Sequence, residues 1–306
     1  MESETVDRIV EAALETELRS SRRPDPGSVA DTLVLELADD PETAACKRGG
    51  ASVWTGDVIE PLVVDLVGAA TDLPVPEVFA SGSLVGPSDG GPDRWALYEY
   101  LSGRSPGSEY PGLEPAVRGR LVREAGELLG RLHATASLAF DRVGGLAREG
   151  SALRLCEAEG WHAMDPGQGL EVLPVPLAGD PDCRPVLTHG DYQPSNLLID
   201  ASGSITGVLD WGNAHVTHAE YALARAEARF VDVHARELEP RERARIRQAF
   251  RSGYTRAVRL EPGIDRRLRT YKLLWLAQST ANYGRIARSA RGRRQLWRQC
   301  RRLLEA

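Results

Sequence analysis

The stretch from Val186 to Trp211, VLTHGDYQPSNLLIDASGSITGVLDW, restricts the folds open to this chain more than any other. Asn196 to Asp200 reads as a strand, Ala201-Ser202-Gly203 as a turn, and Ile205 to Leu209 as the returning strand. A hairpin therefore joins two short polar segments, His189 to Asn196 and Asp210 to Gly212. Asp191 and Asn196 are five residues apart, and Asp210 lies fourteen beyond Asn196. An Asx turn beside a buried histidine, plus an aspartate at a strand end, would explain either segment alone. Two such segments at this separation favour a working site.

Phosphoryl transfer of the kinase type needs this set of groups. A carboxylate orients the attacking hydroxyl and accepts its proton, while an amide oxygen and a second carboxylate hold a metal against the nucleotide phosphates. The kinase pattern of His-Arg-Asp, four residues and Asn is matched by His189-Gly190-Asp191 and Asn196, with glycine in place of arginine. Asp210-Trp211-Gly212 stands where Asp-Phe-Gly would.

HGDYQPSNLLID with GVLDWGNA resembles the signature of the aminoglycoside phosphotransferase family, and the likeness extends more weakly from about Thr32 to Val231. The resemblance implies an α/β (α+β) two-lobed protein-kinase-like fold with a small antiparallel-sheet N-lobe and a mainly helical C-lobe. By position, residues 1–101 would form the nucleotide-binding lobe and 102–306 the catalytic and substrate lobe. The implied substrates are ATP with Mg2+ and a small molecule bearing a hydroxyl. Asp191 would be the catalytic base, and Asn196 and Asp210 the magnesium ligands beside the nucleotide. His189 would brace the loop through backbone contacts near Asp210. Lys47 matches the phosphate-binding lysine, and Glu60 is the candidate for its paired glutamate, with Asp57 and Asp65 as rivals. The carbonyl near Glu99 and the amide near Leu101 would meet adenine at the hinge. Leu132-His133 resembles the end of the family's long helix, with a structural part for His133.

The chain departs from the family in three places. Only Gly27-Ser28 is available as a glycine loop between the first strands, Ala222 replaces an aspartate that supports the catalytic loop, and the lysine strand reads Ala-Ala-Cys-Lys-Arg. These departures favour the alternative of a non-catalytic nucleotide-binding regulatory protein, whereas the complete Asp191, Asn196 and Asp210 set opposes it. A protein kinase is disfavoured by Gly190 and by the lack of an Ala-Pro-Glu-type segment after Asp210.

Elsewhere the periodicity is ordinary. Val6, Ile9, Val10, Ala13, Leu14 and Leu18 predict a helix over residues 4–20, broken by RRPDPGS. Thr32 to Ala38 and Thr43 to Arg48 predict paired strands, followed by a helix from about Pro61 to Ala70. Pro76–Ser81 and Trp95–Leu101 predict two more strands, and Ser102 to Gly112 a hinge. A long helix begins at Pro115 with a face of Val117, Leu121, Ala125, Leu128, Leu132 and Ala136. Residues 145–185 carry no assignable pattern. Helices dominate from Ala219, with breaks near Pro240 and Pro262-Gly263.

Composition narrows the function classes. A net charge of -6 argues against nucleic acid as a partner, and no apolar run approaches bilayer length, so a cytoplasmic protein is expected. Cys46, Cys156, Cys183 and Cys300 are scattered, which argues against a zinc site or disulfide framework. Lys47 and Lys272 are the only lysines among 38 basic residues, which suits positions needing a compact point charge. His215 and His218, three apart, could bind a metal from one helical turn, but with no third ligand nearby a helix-start or surface position is the simpler reading. The arginines from Arg285 to Arg302 read as a solvated helix face. Glu157, Glu159, Trp161 and Asp165 offer acidic groups for a cationic substrate, or an ordinary loop.

Overall fold

The computed structural model describes residues 3–24, 31–84, 93–156, 185–281 and 294. Gly27-Ser28, Glu157, Glu159, Trp161, Asp165, Cys183, Cys300 and nearly all of the arginine-rich tail lie outside them.

The first lobe is built on a five-stranded antiparallel sheet of β1 (Leu18–Arg22), β2 (Asp31–Leu37), β3 (Thr43–Arg48), β4 (Val78–Leu84) and β5 (Asp93–Glu99), ordered β1-β2-β3-β5-β4. Alternation places Leu33, Leu35 and Leu37 on the inner face, where they meet Ala44, Cys46 and Leu97. Val6, Ile9 and Val10 of helix α1 (Ser3–Leu14) cover that face. Helix α2 (Glu60–Ala70) carries its proline in the first turn and buries Val63, Val64 and Val67.

The helix expected to reach residue 20 ends at Leu14. Glu15 adopts a left-handed φ of 53°, and Leu18–Arg22 pairs with β2 instead of continuing the helix. Thr16 Oγ1 donates to Asp39, and the Ala38 amide donates to the Glu17 carbonyl at 2.9 Å. The hydrogen-bonding edge of β2 outweighs the local helical stripe. The strand expected over 76–81 begins at Val78, and the one expected over 95–101 spans Asp93–Glu99.

In the second lobe α3 (Pro115–Ala134) packs along α5 (Pro240–Tyr254), flanked by α4 (Ala219–Phe230) and α6 (Ile264–Ala281). Glycines let α3 and α5 approach closely: a Cβ on Gly126 would stand 2.0 Å from the Phe250 carbonyl oxygen. His133 is buried on α3 with Nδ1 2.9 Å from the Tyr254 hydroxyl, and burial depresses its pKa to about 3. These contacts are structural.

The unassigned region contains a sheet. β6 (Gly144–Glu149) and β7 (Ala152–Cys156) pair with each other, and β6 then pairs with β11 (His215–His218), which also pairs with β8 (Pro185–Thr188). Each strand has only four to six residues, too few for a periodic signal, and pairing reaches far along the chain. His215 and His218 therefore lie in an extended strand, not on a helical turn. His215 stacks on Trp54 at 4.3 Å, while His218 Nδ1 lies 3.1 Å from the Tyr271 hydroxyl. Among the described residues no cluster of three or more His, Cys, Asp or Glu side chains gathers as a metal site.

Candidate active site

The hairpin foreseen around residues 196–209 is present as β9 (Leu197–Ile199) and β10 (Ile205–Val208). Its open end is tied by the Leu209 amide donating to the Asn196 carbonyl at 2.9 Å, so the two polar segments emerge side by side. The segment joining the lobes is stitched along the hairpin. Arg104 and Ile199 exchange backbone hydrogen bonds of 3.0 and 2.9 Å, and Thr206 Oγ1 donates to the Ser102 carbonyl at 2.7 Å.

His189 is fully buried. Its Nε2 donates to the Leu209 carbonyl at 2.8 Å, and its Nδ1 accepts the Asp191 amide at 3.2 Å. Burial lowers its pKa, so the ring is a neutral strut between the two polar segments. Gly190 takes φ +80°, and a Cβ there would fall 1.8 Å from the Asn213 carbonyl oxygen. No other residue fits this crossing.

Asp191 is held from three sides. Arg229 Nη2 donates to its Oδ1 at 3.0 Å, Gln193 Nε2 donates to its Oδ2 at 2.7 Å, and Asn196 Nδ2 donates to its carbonyl at 2.8 Å. With its amide nitrogen directed at the loop, Asn196 Oδ1 accepts, among the described residues, only a long 3.5 Å contact from Ser195.

Lys47 lies on β3, locked between β2 and β5, and reaches across the lobes. Its Nζ stands 2.5 Å from Glu60 Oε2 and 2.7 Å from Asp210 Oδ1. Glu60 Oε1 accepts the Trp211 amide at 3.2 Å, which orients the carboxylate. Burial alone would lower the Lys47 pKa, but Glu60 and Asp210 outweigh it and raise it, keeping the amine charged. Burial raises Glu60, while Lys47 overrides the effect of burial on Asp210 and lowers it. Of the rivals, Asp57 accepts the Arg148 amide at 3.0 Å and Asp65 points to solvent, so Glu60 is the lysine's partner.

Asp210 adopts a left-handed φ of 66° and leaves its side chain 44% exposed, facing outward beside the lysine. Non-glycine residues held this way concentrate at functional sites. Glu99 ends β5, its amide donating to the Glu77 carbonyl at 2.9 Å, and Leu101 packs near Gly207 of the hairpin. Lys47, Glu60 and Asp210 thus meet directly, and the open end of the hairpin sets Asp191 and Asn196 beside the Asp210 turn; Glu99 and Leu101 lie apart from this cluster, at the end of β5 and against the hairpin.

Reading the sequence missed the arginines. Arg225 and Arg229 stand four apart on α4 among Ala222, Ala224, Ala226 and Ala228. Two large cations spaced one turn apart on an otherwise small-residue face were the available signal. Trp54 and Asn213 were missed too: Asn213 Oδ1 accepts the Val53 amide at 3.1 Å, and its carbonyl accepts Trp54 Nε1 at 3.1 Å, clasping the loop after β3 to the Asp210 turn.

A model of the phosphotransferase enzyme family matches residues 63–261. The chain belongs to that family. The match begins after Glu60, so the pairing of Lys47 with Glu60 rests on geometry. A search of curated protein sequences finds no match. Among solved structures, a putative aminoglycoside phosphotransferase from Ralstonia eutropha aligns over 99% of this chain and 96% of its own, with TM-score 0.62 and 17% identity. Amicoumacin kinase in complex with AMP-PNP, Ca2+ and its ligand aligns over 99% and 93%, with TM-score 0.64 and 12% identity. A microcompartment-associated aminopropanol kinase aligns over 96% and 94%, with TM-score 0.63 and 16% identity. This phosphotransferase-family chain has the two-lobed kinase-like fold. Among its described residues, no helix is long and apolar enough to cross a membrane.

Proposed function

We propose that the protein is an ATP-dependent kinase that transfers the γ-phosphoryl group to a hydroxyl of a small molecule, with residues 1–101 holding the nucleotide and 102–306 the acceptor. The observation that carries this reading is Lys47, held by Glu60 of its own lobe at 2.5 Å, reaching Asp210 at 2.7 Å across the lobes, at the end of the hairpin whose first strand follows Asp191 and Asn196. Family membership and the kinase neighbours, one holding AMP-PNP and another acting as an aminopropanol kinase, support it.

Asp191 aligns the acceptor hydroxyl and takes its proton, with Gln193 and Arg229 fixing the carboxylate. Lys47, kept protonated by its two carboxylates, grips the nucleotide phosphates, and Glu60 steadies it from behind. The lightly engaged Asn196 Oδ1 and the exposed Asp210 carboxylate suit a hard cation such as magnesium, which takes one or two protein oxygens and fills its shell from phosphates. When bound, that ion supplies charge neutralisation for the transferring phosphoryl group. Backbone groups near Glu99 and Leu101 receive the adenine edge.

The test is Asp191→Asn. Turnover measured as ADP release across a library of hydroxylated metabolites should fall by about 10^3-fold, within the range for a lost general base, while AMP-PNP affinity stays within about three-fold. A fully active variant would end the assignment of the base.

A further inference from the structure

The walls around Asp191 carry a charge that the kinase reading leaves unused. Arg225 forms no ion pair among the described residues, and its Nε and Nη1 are buried without a hydrogen-bond partner. Tyr221 meets another of its N–H groups. Arg229 spends Nη2 on Asp191, and its Nε is likewise buried and unpartnered. Burying a cation without a counter-charge is costly, and unsatisfied buried donors in a folded protein call for a missing ion or ligand.

Both guanidinium groups are also held in place. Arg225 lies over the Trp54 ring at 6.0 Å and Arg229 over the Trp275 ring at 5.3 Å. A cation–π contact draws a guanidinium to the ring face and leaves its N–H groups for a planar or tetrahedral oxyanion. Spaced four residues apart on α4, the two cations repel one another unless an anion lies between them. The other carboxylates of α4 do not serve. Glu220 is taken by Arg267 at 2.7 Å, and Glu227 by Arg247, Arg251 and Lys272. Among the described residues only Asp191 is left, one negative charge for two arginines.

We propose that Arg225 and Arg229 form a subsite for an anionic group of the acceptor, a carboxylate or phosphate ester, so that the hydroxyl presented to Asp191 belongs to an acidic small molecule. The proposal rests on the phosphotransfer reading above. It places the anion on the Asp191 side, because Arg229 bonds Asp191 directly whereas Lys47 bonds Asp210. The partly exposed Arg229 side chain, 29% accessible, marks the way in. Oxyanion chemistry alone would also fit the nucleotide's terminal phosphate, so the test must separate the two.

Thermal unfolding of the full chain is followed at constant ionic strength while inorganic phosphate replaces chloride, with and without saturating AMP-PNP and Mg2+. Phosphate should raise the midpoint of the wild type, and should still do so with AMP-PNP bound, by mass action. Arg225→Gln and Arg229→Gln should each weaken the apparent phosphate affinity at least ten-fold. Arg225→Lys, which keeps the charge and the fold but loses the fork, should fall between. No phosphate response in the wild type, or an equal response in the variants, overturns the subsite. A response that disappears once AMP-PNP is bound assigns the arginines to the nucleotide and overturns the acceptor role. A midpoint unmoved by AMP-PNP and Mg2+ fails the kinase reading itself, and is visible before phosphate is added. In the ADP-release assay, glycerate and glycerol 3-phosphate should exceed glycerol and ethanolamine at least ten-fold in kcat/KM; ethanolamine ranking first overturns the proposal.

Discussion

Both lysines of this chain clasp two carboxylates at 2.5 to 2.7 Å, yet the two clusters are built to opposite ends. Lys47 joins two lobes, and one of its carboxylates, Asp210, is 44% exposed with an oxygen left over. Lys272 joins α6 to Glu227 at the back of α4 and to Asp232, whose side chains are 0% and 13% exposed. Arg247 and Arg251 close the same cluster, so each oxygen of Glu227 accepts from at least one cation. The first cluster has spare acceptor capacity on a solvent-exposed carboxylate, while in the second both carboxylates are at most 13% exposed and every oxygen is engaged. A short lysine–carboxylate contact therefore says nothing of function until its unspent atoms and their exposure are counted.

The sharpest break of this comparison is Lys47→Met. With the phosphate grip gone, kcat/KM for phosphoryl transfer should drop by about 10^3-fold, the scale of a lost charge contact in a preorganised site. Steady-state kinetics on the acceptor found by ADP release measures it. A variant within ten-fold of wild type would place Lys47 with Lys272 as a structural cation.

How much of this was legible beforehand varied with the length over which the cause acts. The hairpin, Asp191, Asn196 and Asp210 stand within one run of sequence, where spacing and alternation carry the information. Scarcity drew attention to Lys47, but Lys272 is equally scarce, so rarity marked point charges without separating a cleft from a core. Glu60 could be told from Asp57 and Asp65 only by the Lys47 Nζ contact. The β7-β6-β11-β8 sheet and β1 were not legible, because their strands are short and, for β11 with β6 and β8, the partners are distant in sequence. Arg225 and Arg229 escaped notice because helical arginines normally face solvent. What makes these two different is the pair of tryptophans over which they lie, one from the loop after β3 and one from α6.

Lys272→Met tests the closed cluster. Breaking a buried ion pair by removing one partner costs about 3–5 kcal/mol, and Arg247 and Arg251 remain to hold Glu227, so a loss of about 3 kcal/mol in urea denaturation is expected. Activity per folded molecule should stay within about three-fold of wild type. If stability held and activity collapsed, the two lysines would have exchanged roles.

The smallest effect separates the clusters by pH. Glu60 has its folded pKa raised by burial from the ordinary 4.5, with Lys47 opposing the rise. In Lys47→Met that opposition is removed, so native Glu60 keeps a proton that the unfolded chain releases. The native state then binds more protons than the unfolded one, and stability falls as pH rises. The gap between Lys47→Met and wild type should widen between pH 5 and pH 8, by on the order of 1 kcal/mol. Glu227 behaves the other way. Burial would raise its pKa, but Lys272 and Arg251 outweigh burial and lower it, so its contribution is present above the ordinary carboxylate range and is lost on acidification. Urea midpoints across that pH range should therefore diverge for Lys47→Met toward the alkaline end. A gap that is flat, or that narrows as pH rises, would mean that Glu60 stays charged without its lysine, and the open cluster would then owe its carboxylate to some cation other than Lys47.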